Sequence, residues 1–196
     1  MFKSHLMVMD ELKNYASPKA RLTRMLKSGK LIQIRRGLFT DSASITQRGL
    51  APVLYGPSYI SFQYALCAAG LIPERAAVIT CASFNKNKDK LFHTPIGIYQ
   101  YRYLPNGVYP YGITMEEEDS MSYLLATPEK ALCDMVYKTP SVTGLDDIEY
   151  LLLEDWRIDV EDLLGLDRDF IRWIAPRYHR KSLLALASWF AREVYK

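Results

Sequence analysis

Apolar positions in the first forty residues recur at helical spacing twice and then switch to short β-prone runs. Ser4 is placed to cap a helix over residues 5–14, in which Leu6, Met9 and Leu12 share a stripe. Asn14, Tyr15 and Ala16 form a short turn, and Ser17 followed by Pro18 reads as an N-cap with proline at the first helical position, where its missing N–H costs nothing. The spacing predicts a second helix over residues 18–27. At about 100° per residue, Leu22, Met25 and Leu26 occupy one arc; Thr23, Arg24 and Lys27 occupy the opposite one, with Lys19 at its edge. Gly29 stops the helix. Leu31-Ile32-Gln33-Ile34, Arg35-Arg36-Gly37 and Leu38-Phe39-Thr40 then read as a hairpin with two arginines at its tip.

Beyond it, strands are expected over residues 78–81, 97–104 and 111–115, with the lysine-dotted residues 85–90 as a loop between strands. In the second of these, Tyr99, Tyr101 and Tyr103 alternate with Ile98, Gln100 and Arg102. Three tyrosines on one face either pack beneath a helix or stack nucleobases; packing is the stronger reading, because Arg102 points to the other face. Helices are expected from Pro128, capped by Thr127, and over residues 145–154, 160–164, 168–174 and 182–195. The fold class implied is α+β: a winged helix-turn-helix over residues 1–45, then a mixed α+β domain over 46–196 with a small antiparallel sheet and C-terminal helices.

Charge changes this picture by its distribution. The 196 residues carry a net charge of only +3. Residues 1–40 hold nine Lys or Arg against two acids, whereas residues 116–169 hold four against sixteen. A solvated helix face explains most runs of charge, but so one-sided a stretch, repeated in sign on the hairpin, points to a polyanion. Helix, turn, basic helix and basic hairpin follow in the order that places one helix in a DNA major groove and a wing against the phosphates. The candidate DNA-binding residues are Lys19, Arg21, Thr23, Arg24, Lys27, Lys30, Arg35 and Arg36. Lys19, Arg24 and Lys27 are expected to face the groove, and Arg35 and Arg36 the backbone or minor groove. A cluster at Arg177-Tyr178-His179-Arg180-Lys181 is a weaker candidate for a phosphate contact.

The stretch LTRMLKSGKLIQIRRGLFT is similar to the helix-and-wing signature of AbiEi-type antitoxins, bacterial transcriptional regulators of type IV toxin-antitoxin systems. Two later stretches resemble the same family: Gly56-Pro57-Ser58-Tyr59-Ile60-Ser61 leading into a helix closed by Gly70-Leu71-Ile72-Pro73, and the proline-opened Ala126-Thr127-Pro128-Glu129-Lys130-Ala131-Leu132-Cys133-Asp134. The resemblance covers about residues 1–140. It implies an autorepressor that binds its own operator as double-stranded DNA and an antitoxin opposing a nucleotidyltransferase-like toxin, with or without direct contact.

Two other classes compete with this reading. An interaction module with a vestigial winged helix would use the acidic segment to hold a protein partner. A metal-dependent nuclease would need carboxylates such as Asp146, Asp147, Glu149, Glu154, Asp155, Asp159, Glu161 and Asp162 to converge around a cation, and their spacing scatters them. His5, His93 and His179 lie in separate segments and no nucleophile motif is present, so neither enzymatic activity nor a metal or other cofactor is expected. Cys67, Cys81 and Cys133 sit among apolar neighbours, fit no disulfide or zinc spacing and are expected as free thiols in the cytoplasm. No run approaches the ~18 apolar residues of a membrane span, so no membrane partner is expected.

Overall fold

The computed structural model describes residues 2–41 and 45–192. The chain begins with a strand, β1 (Phe2–Ser4), followed by α1 (His5–Glu11), α2 (Pro18–Lys27), β2 (Ile32–Arg35) and β3 (Leu38–Thr40). Strand β3 coincides with its expected run, whereas β2 begins one residue later than expected and continues into Arg35, a residue expected at the tip; β1 adds to them. It pairs antiparallel with β3, completing a three-stranded sheet in the order β1-β3-β2. Ser4 Oγ accepts the N–H of Met7, 3.2 Å away, as the expected cap. The buried stripe of α1 is Val8 and Leu12, one turn apart. Of the expected Leu6–Met9–Leu12 stripe Leu12 is buried, Met9 is half-buried and Leu6 is 79% exposed, and the helix ends at Glu11 rather than at residue 14. Gly29 (φ +71°) and Gly37 (φ +82°) hold the left-handed conformations that end α2 and turn the hairpin.

The remainder is built on a six-stranded sheet. Its strands are β4 (Ser58–Ile60), β5 (Val78–Ser83), β6 (Lys90–His93), β7 (Ile98–Tyr103), β8 (Ile113–Glu118) and β9 (Met121–Ala126), in the spatial order β6-β7-β5-β4-β9-β8. The small antiparallel sheet expected here is thereby corrected: the sheet has six strands and is mixed, β5–β7 and β4–β9 being parallel. Three-residue β4 is too short to show a period of two, and β9 (MSYLLA) carries no alternation. Asp119 and Ser120, both at positive φ, turn β8 into β9.

The two faces of this sheet bury different cores. Ile79, Cys81, Tyr99, Tyr101 and Tyr123 pack with Leu50, Ala51 and Leu54 of α3 (Gln47–Leu54). Tyr99 and Tyr101 are fully buried and donate to the carbonyls of Gln47 and Ala51 on α3, which makes them packing residues; Tyr103 is 38% exposed. Ile34 of β2 belongs to the same cluster, with Phe2, Ile32 and Leu38 against it. The hairpin therefore rests on the body of the molecule, and burial of Ile34 alone contributes about 2 kcal/mol. The segment expected as an N-terminal domain shares a core with the rest across residues 42–44, which lie outside the described residues.

Against the other face lie α4 (Phe62–Ala68), α5 (Pro128–Lys138), α6 (Leu145–Tyr150) with a π-turn over Leu151–Asp155, α7 (Val160–Leu164), α8 (Arg168–Ile174) and α9 (Lys181–Arg192). The last docks through Leu183, Leu186, Trp189 and Phe190; its expected extension to residue 195 falls outside the described residues.

Candidate nucleic-acid interface

The sequence of α2 divides the helix into a packing arc and a solvent arc. Leu22, Met25 and Leu26 pack against Val8, Leu12, Leu31 and Phe39, which is the whole of a small third core. Their arc holds α2 onto α1 and the hairpin. Lys19, Thr23, Arg24 and Lys27 are exposed on the opposite arc, and Lys30 is exposed just beyond Gly29. Thr23 donates its hydroxyl to the Lys19 carbonyl (3.0 Å) and Arg24 its Nε to the Ala20 carbonyl (3.4 Å), leaving the outer guanidinium N–H groups of Arg24 toward solvent. Among the described residues none of Lys19, Arg21, Arg24, Lys27, Lys30, Arg35 and Arg36 makes an ion pair. The acids nearest in sequence are engaged elsewhere, Asp10 with Lys13 and Glu11 with Lys3. Positive charge on this arc is therefore uncompensated by local partners.

Two of the eight candidate residues are placed differently from the rest. Arg21 is half-buried at the edge of the packing arc, its guanidinium 5.0 Å from the centroid of the Tyr15 ring and its buried Nε without a partner. Arg35 leaves β2 toward the body: its Nε donates to the carbonyl of Leu54 at the carboxyl end of α3 (3.2 Å), and a terminal nitrogen donates to the Arg36 carbonyl (3.3 Å). Arg35 ties the hairpin to α3, where a cation also meets the negative end of a helix. Arg36 alone at the tip is exposed and uncommitted among the described residues.

A fully buried, multiply bonded pair of charges lies elsewhere, and sequence reasoning does not single it out. Lys130 and Asp134, one turn apart on α5, are both 0% exposed and 2.6 Å apart. Asp134 also accepts from Tyr59 (2.9 Å), Ser61 (2.7 Å) and Tyr178, while Lys130 reaches the Tyr178 oxygen at 2.6 Å. Burial, with Asp134 alongside, holds the Tyr59 and Tyr178 hydroxyls well above the ordinary phenol range. No exposed atom of the pair is available to a ligand, so the cluster joins β4, α5 and the turn at Tyr178 rather than forming a reaction centre. The one signal for it in the chain is a Lys and an Asp four residues apart in a helix whose intervening positions, Ala131, Leu132 and Cys133, are all apolar.

The remaining candidates stay dispersed. The C-terminal basic cluster is split: Tyr178 is buried, Arg177 stacks on Trp173 (3.8 Å) and Arg180 on Tyr137 (5.0 Å). Asp147 accepts from the Thr143 and Gly144 N–H groups and the Thr143 hydroxyl as a helix-capping carboxylate, which lowers its pKa. Among the described residues no group of three or more His, Cys, Asp or Glu is placed to hold a metal ion, and no helix is long and apolar enough to cross a membrane. Cys67, Cys81 and Cys133 are free; burial pushes the Cys81 and Cys133 thiols far up. In comparisons with known proteins, no family model matches the chain and no curated protein matches it at a significant level.

Proposed function

We propose that the protein is a DNA-binding transcriptional regulator whose residues 2–41 act as a winged helix-turn-helix. In this reading α1 and α2 are the helix-turn-helix, α2 enters the major groove, and the β2–β3 hairpin is the wing. The observation that carries the reading is the exposed arc of α2, where Lys19, Arg24 and Lys27 have no carboxylate partner among the described residues. Bare cations on a rigid helix are suited to replacing the condensed counterions of a duplex, the sequence-independent part of DNA affinity. Arg24 and Thr23, at mid-helix, are the residues to read base edges. Arg36 meets phosphate at the wing tip, and Arg35 holds the wing in place.

The resemblance to AbiEi-type antitoxins extends the proposal. The regulator represses its own operon in the cytoplasm, and the body of the molecule opposes a nucleotidyltransferase-like toxin. No catalytic role is assigned to any residue. The experiment is a gel shift with the region upstream of the protein's own gene at two salt concentrations, comparing wild type with a Lys19→Ala/Arg24→Ala/Lys27→Ala variant. Retained binding by the variant refutes the assignment of α2. Co-expression with the product of an adjacent nucleotidyltransferase-like gene tests the antitoxin role: the regulator relieves growth arrest, or the antitoxin part of the proposal fails.

A further inference from the structure

The six-stranded sheet ends in two bare edges of opposite charge. Following the pairings across it, β6 and β8 run in opposite directions. Among the described residues no hydrogen bond reaches the outer backbone of either strand. Edge strands left this way are templates for another strand. On β8, Thr114, Met115, Glu116 and Glu117 are all exposed, Met115 at 75%. On β6 and the residue pair before it, Lys88, Lys90 and Leu91 are exposed, Leu91 at 56%.

We propose that copies of this chain associate head to tail, the outer edge of β8 pairing antiparallel with the outer edge of β6 in a second copy. A copy carried along the sheet with the same face up presents β6 antiparallel to β8, so the pairing continues the sheet. One register then satisfies both faces. Opposite Met115 it places Leu91, two large apolar side chains otherwise in water. Opposite Glu116 it places Lys90. The faces agree as well. Met115 lies on the side of its partner Leu124, against the α4–α5 core, and Leu91 points away from the tyrosines of β7. Glu116 and Lys90 lie on the α3 side with Tyr123 and Tyr101. A slip of one residue would break this agreement, because it turns every side chain to the other face. In the same register Glu117 meets Asp89, whose carboxylate is already engaged by Lys138 and the Tyr103 N–H.

Twofold pairing is disfavoured by the same charges. Joining β8 to β8 sets Glu116 to Glu118 against their own copies, and joining β6 to β6 sets lysines against lysines. A strand-to-different-strand contact leaves each added copy with a free edge, so the assembly grows beyond two copies, into a filament or a larger ring. The inference is independent of the DNA-binding reading.

Sedimentation velocity of the full chain from micromolar to millimolar concentration, at low and high salt, tests it. Wild type forms species larger than a dimer at low salt that dissociate as salt rises. Glu116→Lys and Lys90→Glu each weaken association by about tenfold or more, while an equimolar mixture of the two restores it, since the reversed charges then face one another. Both positions are exposed, and an unchanged thermal melt confirms that each variant is folded. A wild type that stays monomeric throughout, one that stops at a closed dimer, variants that associate like wild type, or a mixture that fails to recover overturns the proposal.

Discussion

On α2 lysine and arginine stand in water with no ion-pair partner among the described residues, whereas on α5 Lys130 is sealed from solvent against Asp134, with Tyr59, Ser61 and Tyr178 around the pair. The two helices are similar in length, and each opens with proline after a hydroxyl residue. What separates them is the surrounding fold. Helix α5 has seven consecutive buried residues, and α2 has none. A charge in a crowded helix is committed to holding the fold and is unavailable for recognition. A charge on a helix packed through only Leu22, Met25 and Leu26 contributes little to stability and is free to bind.

The contrast is broken most severely at Asp134. Asp134→Ala leaves Lys130 buried without a counter-charge and strands three hydroxyl donors, and is expected to cost about 3–5 kcal/mol in urea unfolding. A Lys130→Met/Asp134→Leu double substitution recovers a large part of that loss, because it removes both charges together. Arg35→Ala comes next, at about 1 kcal/mol, from removal of the partly buried bond to Leu54. If the proposed DNA-binding reading holds and Arg35 serves the hairpin rather than the phosphates, DNA affinity is expected to fall while its salt slope holds; Arg36→Ala is expected to lower the slope by about one and leave the unfolding midpoint unchanged. Tyr109→Phe is neutral to slightly stabilising in the same assay, since it deletes a buried hydroxyl that has no partner among the described residues, a group whose pKa burial pushes up to about 12.

Asp147 gives the smallest and most pH-specific effect. Its folded pKa lies below the ordinary value of 3.8, because the Thr143 and Gly144 N–H groups and the Thr143 hydroxyl favour the carboxylate. Its contribution is therefore present above that value and lost as pH falls through the lowered folded pKa. Wild type and Asp147→Asn are expected to differ in unfolding midpoint at neutral pH and to converge in acid.

Local rules make much of this architecture legible. Capping by Ser4 and Thr127, the glycine stop at Gly29 and the alternation of Ile98 to Tyr103 all operate within a few residues, and the elements they mark lie where expected. Neither β1 nor β4 is legible, because, unlike the equally short β3 beside its glycine turn, neither is joined by a tight turn to the strand it pairs with, and each exists only by virtue of a distant partner. The mixed order of the large sheet is likewise a property of long-range pairing. The solvent arc of α2 follows from helical periodicity alone. Arg35 reads in the sequence as a second wing-tip contact because the acceptor that claims it, the Leu54 carbonyl, lies nineteen residues away. The buried ion pair is hidden for the opposite reason: Lys and Asp at i and i+4 ordinarily mark a solvated face, and only the apolar residues around them say otherwise.

The proposed recognition of DNA rests on the solvent arc of α2 being a duplex-binding surface. Its most direct measurement is the salt dependence of binding, by fluorescence anisotropy, of wild type and of the Lys19→Ala/Arg24→Ala/Lys27→Ala variant to a duplex from upstream of the gene. The expected result is equal thermal stability for the two proteins, much weaker binding by the variant, and a slope of log K against log salt shallower by about 0.9 for each phosphate that the variant leaves unneutralised. Equal affinities and equal slopes for the two folded proteins would contradict it.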